Sequence, residues 1–366
     1  MEEIIGKIGK YLQDLIAAPQ NLILRAMNKP SKIKWLWFGV TDRCNSRCVH
    51  CNIWKTPNIN IKDLITLEEI EKTFKDPLLK DLEAVYLSGG EVVLREDNKE
   101  LIKIINKYVP RANIALSTNG LLPDKVIETT KFAVENKIPF SVGISLDGIG
   151  EKHDSIRGVK GNFEKIDYLL KELVKIREKY GCDNLALTLG LTLSDFALPN
   201  VKEVEEYAKK LNIELLVQWY NNSSYYENTK DNIATKNDEI TKVVKSLSHS
   251  PLNEMWLKSL KTGKLTKFPC FAMNTFCVLQ WDGSISPCLS LWGTRVGSVK
   301  NNTFSEIWYG QKAMDVRKAI KNCEGCLNSW GVGWSFTSGF FPNLFFKLKH
   351  PVILFKKLTG NYYPKD

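Results

Sequence analysis

Three cysteines, Cys44, Cys48 and Cys51, stand close together near the start of the chain with the spacing C-x3-C-x2-C. Three thiolates on one short loop can hold three corners of a cubane iron–sulfur cluster, and the fourth iron then stays open to an exogenous ligand. The competing interpretation is a zinc site, for which His50 in the same loop offers a fourth ligand. The spacing favours the cluster, because the cysteines directly follow a segment with the composition of a β-strand.

A second group of cysteines lies between residues 268 and 330, in a segment rich in Cys, Gly, Trp and Pro. Asp282-Gly283 in this segment is a hairpin turn signal between two short β-prone runs. Cys277 lies in the run that enters the hairpin and is interpreted as a buried thiol, and Cys182 elsewhere as an ordinary thiol. Taken alone, the other four fit a zinc site and an iron–sulfur cluster about equally, namely Cys270, Cys288, Cys323 and Cys326.

The composition is that of a globular protein. The chain has 366 residues, of which 43% are hydrophobic and 25% charged, so it can bury a sizeable core and is not disordered as a whole. It has no apolar run of roughly 18 residues that could span a bilayer and no basic leader with a cleavage site. These features predict a cytoplasmic protein, in which nine cysteines need a reason other than disulfides. The net charge of +10 leaves anionic partners open.

Short β-prone runs alternate with amphipathic helical segments from residue 35 to residue 219. Strands are predicted at 35–41, 83–88, 112–118, 140–146, 184–192 and 213–219. Helices are predicted between them at 67–76, 98–109, 123–136, 162–180 and 199–211. This alternation predicts a parallel sheet built from βαβ units, either a doubly wound open sheet or an incomplete (β/α) barrel.

Small polar residues and glycines follow five of the predicted strands. Paired glycines let the backbone approach a ligand closely, and Arg157 can clamp a carboxylate through two hydrogen bonds. Ligands in parallel α/β proteins bind at the carboxyl ends of the strands, so the shared placement favours a partial, TIM-like (β/α)6 barrel. The motifs are Ser88-Gly89-Gly90-Glu91, Ser117-Thr118-Asn119-Gly120, Ser145-Leu146-Asp147-Gly148, Gly190-Leu191-Thr192 and Val217-Gln218-Trp219.

The sequence divides into four parts on composition. Apolar residues at helical spacing predict an N-terminal amphipathic helical segment over 1–32. The partial barrel covers 33–235 and ends in a polar, turn-rich stretch. A linker helix and a small cysteine-rich domain follow over 236–330, and a basic, aromatic tail occupies 331–366.

The cysteine spacing and the strand-end motifs together resemble the radical S-adenosylmethionine (SAM) superfamily over about residues 33–220. The resemblance implies that SAM chelates the open iron through its amino and carboxylate groups. One electron from the reduced cluster then cleaves SAM, and the resulting 5′-deoxyadenosyl radical abstracts a substrate hydrogen. Two positions depart from the family pattern, since His50 stands where an aromatic residue is usual and Val92 where a proline is usual.

The resemblance also assigns roles to individual residues. The backbone of Gly89, Gly90 and Glu91 is implied to engage the amino group of SAM, and Ser145 and Arg157 its carboxylate. Other implied contacts to SAM come from the motif with Ser117 and Asn119 and from the backbone near Leu191 at the adenine. Asp147 is assigned either to the substrate or to capping of the turn, His153 is interpreted as structural, and no general base is identified.

The second cysteine group, read as C-x12-G-x4-C…C-x2-C, resembles the SPASM/twitch extension of radical SAM enzymes. A full SPASM domain needs further cysteines after Cys326, and this chain has none. The match is therefore to twitch, which implies one auxiliary 4Fe–4S cluster on Cys270, Cys288, Cys323 and Cys326. Four thiolate ligands leave no open iron for substrate, which favours an electron-transfer role.

These features predict a radical SAM oxidoreductase that removes two electrons from a substrate, with the auxiliary cluster as acceptor of the second electron. A small-molecule substrate is favoured, because only about 34 residues precede the first strand, too few for a peptide-recognition domain. Peptide modification is one alternative. If the tail over 331–366 contacts a membrane surface, a lipid or lipid-linked glycan becomes another.

Other partners follow from the same interpretation. The enzyme needs a one-electron donor such as flavodoxin or ferredoxin. Nucleic acid is disfavoured, because the lysines are spread along the chain. The alternative from another class is a non-catalytic zinc or electron-transfer metalloprotein, which would have no use for the SAM-binding motifs.

Overall fold

Nine strands form one sheet in the computed structural model, which describes residues 17–55, 63–181, 185–228, 238–246, 251–262, 264–265, 267–323, 325–326 and 328–339. The strands are β1 (Trp35–Thr41), β2 (Ala84–Gly89), β3 (Asn113–Thr118), β4 (Phe140–Ser145), β5 (Leu185–Leu193), β6 (Glu214–Trp219), β7 (Phe276–Leu279), β8 (Ser284–Ser286) and β9 (Gly297–Ser298). Their order across the sheet is β6-β5-β4-β3-β2-β1-β7-β8-β9.

Helices connect the strands and cover one face of the sheet. The described part of the first helix, α1, comprises residues 17–26. The others are α2 (Leu67–Phe74), α3 (Asn98–Tyr108), α4 (Pro123–Glu135), α5 (Glu151–Arg157), α6 (Asn162–Tyr180), α7 (Val201–Lys210), α8 (Asp238–Ser246), α9 (Pro251–Thr262), α10 (Phe304–Tyr309), α11 (Gln311–Lys321) and α12 (Ser329–Ser338). The predicted alternation of strands and helices is confirmed.

The strand order decides between the two predicted architectures. β1 to β6 are all parallel, and each pairs with the next strand along the chain. A doubly wound sheet reverses its order at a switch point, whereas a barrel continues in one direction. The described sheet ends at β6 and β9 and does not close, so the predicted partial barrel is confirmed.

Residue alternation explains the two faces of the sheet. In β5 the leucines at 185, 187, 189, 191 and 193 are buried, while the residues between them are less buried. Successive side chains of a strand point to opposite faces, so the leucines form the core with the helices. The intervening small and polar residues face the inside of the partial barrel. β1 is buried along its whole length, because both of its faces are covered.

The cysteine-rich segment continues the barrel sheet. β7 pairs with β1 in parallel, and β7 and β8 form the hairpin predicted from Asp282-Gly283. α12 lies against β1 and β7, with the ring of Trp334 stacked on Trp35 at 6.1 Å and 5.1 Å from Phe276. The barrel and the cysteine-rich segment therefore share one sheet.

The ends of the chain lie partly outside the described residues. Within the described part, Arg25 of α1 donates to the carbonyl of Cys270 at 2.7 Å, and Asn21 to that of Ser338 at 3.3 Å. The predicted helical segment before residue 17, the tail after residue 339 and Cys182 are not described. α12 runs across position 330, and the four domain boundaries stay predictions. Within the described ranges, no helix has the length and apolar character needed to cross a membrane.

Candidate active site at the carboxyl ends of the strands

The loop after β1 carries the first three cysteines and is fixed against the end of α5. The backbone N–H groups of Arg47 and Val49 donate to the carbonyls of Arg157 and Ile156, both at 2.9 Å. The hydroxyl of Ser46 donates to the same Arg157 carbonyl at 3.1 Å. We call residues 42–51 the cluster loop. Its conformation is held by main-chain contacts from a helix more than 100 residues away in sequence.

The three thiols of the cluster loop are close enough to influence one another. Burial raises the pKa of Cys44 to about 11 and that of Cys51 to about 12, and the charge of Cys48 adds to both shifts. Ser46 Oγ lies 3.2 Å from the sulfur of Cys48, and Asn119 donates to the sulfur of Cys44 at 3.8 Å. Cations such as cluster irons stabilise thiolates in such surroundings, so the donor set fits the implied cluster.

The three thiols of the cluster loop are the number of protein ligands that a cubane with one open iron needs. Among the described residues, no three His, Cys, Asp or Glu side chains converge on one position for a single metal ion. A structural zinc site needs four ligands at about 2.0–2.3 Å, whereas a cubane spreads its thiolates over a larger body. His50 in the same loop is buried, and burial lowers its pKa to about 4, which keeps the imidazole neutral.

Gly89 and Gly90 pack against the cluster loop. A Cβ on Gly89 would lie 2.1 Å from the carbonyl oxygen of Thr41, and one on Gly90 would lie 2.1 Å from that of Arg43. The N–H of Gly90 donates to Thr41 O at 2.7 Å, and the N–H of Glu91 donates to Arg43 O at 2.8 Å. The sequence interpretation assigned these glycines to ligand approach. The structure shows that contact with the cluster loop already requires both.

The side chain of Glu91 organises the neighbouring motif. It is fully buried and accepts hydrogen bonds from Thr118 Oγ1 at 2.8 Å and from the Asn119 N–H at 2.7 Å. Burial raises the pKa of Glu91 to about 7, although both hydrogen bonds favour its charged form. Asn119 in turn donates to Asn45 Oδ1 at 2.8 Å. Glu91 therefore couples the end of β3 to the cluster loop.

A buried ion pair joins the ends of β4 and α5. Asp147 Oδ2 lies 2.7 Å from Arg157 Nε, and its other oxygen accepts from the Thr192 N–H at 2.7 Å. Burial alone would raise the pKa of Asp147, but the charge of Arg157, the two nearby histidines and the hydrogen bond from Thr192 together hold that pKa below its usual range. His153 accepts from the Asp147 N–H at 3.2 Å and contacts Asn162, so its described contacts are structural.

This ion pair engages Arg157, which is predicted to bind the carboxylate of SAM. Its Nε faces Asp147, and its Nη1 lies 3.6 Å from the sulfur of Cys48. The guanidinium lines the cavity below the cluster loop. A SAM carboxylate would therefore share this group with Asp147, and the predicted clamp stays a prediction.

The inside of the partial barrel contains a cavity of about 420 Å³. Two of the predicted SAM-binding residues do not line it, because the side chains of Glu91 and Leu191 are fully buried. Gly190 and Thr192, on either side of Leu191, line the cavity instead, so the implied contact near Leu191 is open only to its backbone. Those that line it are Cys44, Cys48, Cys51, Gly89, Gly90, Ser117, Asn119, Ser145 and Arg157.

Most of the cavity wall was not predicted. One signal was present, since small or polar residues alternate with leucine, valine and isoleucine in the predicted strands. No such signal marks Trp330 in α12 or the loop after β6. In that loop, Tyr225 OH donates to Gly89 O at 2.7 Å. The unpredicted inward-facing strand residues are Tyr86, Asn113, Ala115, Ser141, Gly143, Ala186, Thr188, Glu214 and Leu216.

The four predicted auxiliary cysteines come together from separate segments. Burial raises the pKa of Cys288, and the charges of Cys270 and Cys326 raise it further. Burial likewise raises the pKa of Cys270, with a further contribution from Cys323, which is exposed. Cys277 is fully buried in β7, as predicted. The donor set fits one cluster with four thiolate ligands.

Two family models match the chain at these two sites. Residues 39–198 match the model of the radical SAM superfamily. Residues 270–327 match SPASM, an iron–sulfur cluster-binding domain. The chain therefore contains a radical SAM domain and a SPASM domain. These domains imply SAM, a SAM-binding 4Fe–4S cluster and auxiliary iron–sulfur, which confirms the predicted cofactors at that level.

Curated relatives match about half of the chain. Fe-coproporphyrin III synthase of Methanosarcina barkeri is 30% identical over 182 residues, which are 50% of this chain and 41% of that protein. GTP 3′,8-cyclase of Clostridium perfringens is 34% identical over 161 residues, which are 43% of this chain and 47% of that protein. The chain thus spans less than half the length of these relatives.

Solved structures with the same fold cover more of the chain. Native anSMEcpe with bound AdoMet and the Cp18Cys peptide has a TM-score of 0.58 at 21% identity, over 89% of this chain and 99% of the other. SuiB of Streptococcus suis bound to its precursor peptide SuiA has a TM-score of 0.62 at 14% identity, over 84% and 75%. At these identities the likeness shows the fold.

Proposed function

We propose that this radical SAM enzyme oxidises a small polar substrate by two electrons and passes the second electron to the auxiliary cluster. The observation that carries the proposal is the set of four thiols from Cys270, Cys288, Cys323 and Cys326, placed beside the cavity. Leu289, the residue after Cys288, lines the cavity. Four thiolates occupy every iron of a cubane, so this site suits electron transfer better than substrate binding.

The cavity wall positions the reactants. SAM and its cluster, when bound, would supply the radical chemistry that removes one hydrogen atom from the substrate; the second hydrogen would leave as a proton to solvent while its electron passes to the auxiliary cluster. Arg157 offers a positive charge at the cluster loop, and Asp147 fixes its orientation. The inward-facing hydroxyls of Ser117 and Ser145 are available to hydrogen-bond a polar ligand.

α12 links the cavity to the auxiliary cysteines. Trp330 at its start lines the cavity, and Ser335 one to two turns later accepts a hydrogen bond from the Phe271 N–H at 3.0 Å. Ser335 also contacts Cys270. One short helix therefore touches both sites, which keeps the path for the second electron short.

A small substrate agrees with the shape of the cavity. Residues of α12 and of the loop after β6 line the cavity of about 420 Å³ together with the inner face of the barrel. Peptides are bound in the anSMEcpe and SuiB structures. Modification of a peptide would be the contrary outcome here. We further propose flavodoxin or ferredoxin as the electron donor.

Anaerobic reconstitution tests the proposal in two steps. The wild type is expected to hold about eight irons per chain and to form 5′-deoxyadenosine only with dithionite. Replacing Cys44, Cys48 and Cys51 by Ala should leave about four irons and abolish SAM cleavage. About four irons in the wild type, or SAM cleavage without the three cysteines, would contradict the site assignment.

The second step tests the oxidation. The Cys323→Ala/Cys326→Ala variant is expected to cleave SAM but to form no oxidised product. The wild type, incubated with fractionated cell extract, is expected to yield a compound lighter by two hydrogens in the small-molecule fraction. A mass change confined to the peptide fraction would overturn the assignment of a small substrate.

A further inference from the structure

The end of the cavity away from the cysteines carries a negative charge. Glu214 is the one carboxylate among the described residues that line the cavity. Arg157 lies at the opposite end of the cavity. Its partner Asp147 accepts a hydrogen bond from the N–H of Thr192, which fixes the position of the ion pair along β5. Thr192 pairs with Gln218, four residues after Glu214, which corresponds to about 13 Å along the strand. The guanidinium and the carboxylate among the described lining residues therefore lie at opposite ends of the cavity.

Residues with hydroxyl groups lie in the same row across the strands as Glu214. Ser117, Gly143, Thr188 and Glu214 lie abreast on β3 to β6 and all line the cavity. Gly143 has no side chain, which leaves room in front of the sheet at this level. Glu214 also has an interaction within the protein. A carboxylate offers about four lone-pair directions, so it can accept from a ligand as well.

Aromatic rings form the wall at the neighbouring level. The ring centroids of Tyr86 and Trp330 are 4.9 Å apart, and both residues line the cavity. Trp334 packs behind them, 5.2 Å from Tyr86 and 6.1 Å from Trp330, and holds both rings in place. An indole face attracts a cation within about 6 Å and also packs against apolar C–H groups.

We infer that this end of the cavity binds the substrate and that the substrate is a hydroxyl-rich ring with a protonated amine. The amine pairs with Glu214, the hydroxyls bond to Thr188 and its neighbours, and one face of the ring packs on Trp330. This inference rests on the proposed function and names its substrate class. The cysteine end, with Arg157, remains for SAM.

Calorimetric titration of the reconstituted, SAM-bound, unreduced enzyme tests the inference with three sugars. The probes are D-glucosamine, N-acetyl-D-glucosamine and D-glucuronate, which are cationic, neutral and anionic at neutral pH. D-Glucosamine is expected to bind about tenfold or more tightly than the other two, because a charged hydrogen bond forms only with its amine. Glu214→Gln should remove this preference, and Trp330→Leu should weaken D-glucosamine and N-acetyl-D-glucosamine alike.

Controls separate charge from folding. Glu214→Asp should keep the preference for D-glucosamine, and Glu164→Gln, at an exposed position of α6, should leave all affinities unchanged. Iron content and thermal midpoint confirm that each variant is folded. The inference is overturned if Glu214→Gln binds D-glucosamine within twofold of wild type, if D-glucuronate binds tightest, or if no probe binds. Failure of the proposed function shows separately, as absent dithionite-dependent SAM cleavage.

Discussion

At the scale of single residues, glycines and buried carboxylates hold the cluster loop in place. Gly89, Gly90 and Gly158 each stand where a Cβ would lie within 2.4 Å of a carbonyl oxygen of residues 41–47. Gly158 adopts a φ of +67° at the end of α5, a conformation that favours glycine. The backbone after β2 and the backbone at the end of α5 therefore both pack closely against the loop.

Replacement of Gly90 tests this arrangement. In Gly90→Ala the new Cβ would lie 2.1 Å from Arg43 O, so the backbone of the cluster loop must move. We expect reconstituted iron to fall from about eight to about four per chain, with loss of SAM cleavage. Iron analysis and 5′-deoxyadenosine formation measure the two effects.

Gly333 provides the matched control. A Cβ there would meet nothing within 4 Å, and the residue lies inside α12. Gly333→Ala should leave iron content unchanged and stabilise the protein by up to about 1 kcal/mol, the difference in helix propensity. Full iron content in Gly90→Ala would contradict the packing argument.

At the scale of elements, α12 lies in the interior, as its sequence without a polar face requires. It reads SWGVGWSFTS, and Val332, Trp334 and Ser335 are buried. A helix without a polar stripe is stable only where other elements surround it. Here β1, β2 and β7 supply that environment, through Trp35, Tyr86 and Phe276.

Truncation of Trp334 measures how much this packing contributes. Trp334→Ala removes a ring that contacts four other aromatic residues, and we expect the free energy of unfolding to fall by about 3–5 kcal/mol. Urea denaturation gives the value. Phe196→Ala, at a side chain that is 51% exposed, should change it by less than about 0.5 kcal/mol. Equal effects of the two substitutions would show that α12 adds little to stability.

At the scale of the whole molecule, the two iron–sulfur sites are built on one continuous sheet. β1 leads into the cluster loop on one side and pairs with β7 of the SPASM domain on the other. Two of the auxiliary cysteines, Cys270 and Cys288, lie on either side of the β7–β8 hairpin, and the other two, Cys323 and Cys326, follow α11. The cluster that they hold would tie these segments together.

Removal of the auxiliary cluster should therefore loosen only part of the molecule. In Cys323→Ala/Cys326→Ala, backbone amides of the segments beside the cysteines, 267–272 and 328–338, should exchange hydrogen faster, because metal binding and local folding are coupled. Exchange in β3, β4 and β5 should stay within twofold of wild type. Hydrogen exchange with mass spectrometry makes the comparison, with Cys277→Ser as a control that keeps all four proposed ligands. Uniformly faster exchange would contradict a local role.

The sequence by itself determined the features that depend on short segments. The six parallel strands, their helices, the two cysteine groups and the hairpin at Asp282-Gly283 follow from residue type and spacing over a few residues. Spacing also indicated the family, because an iron–sulfur ligand set constrains where thiols stand along one loop.

Only the tertiary structure decided contacts between residues far apart in the chain. Pairing of β7 with β1, the cover of α12, the Asp147–Arg157 ion pair and the hydrogen bond from Tyr225 to Gly89 all depend on how the elements pack. No local pattern encodes them, since burial and partner choice arise when the chain closes on itself. The same holds for Glu214, which shares the cavity with Trp330 only because β6 and α12 meet at Trp219 and Ser329.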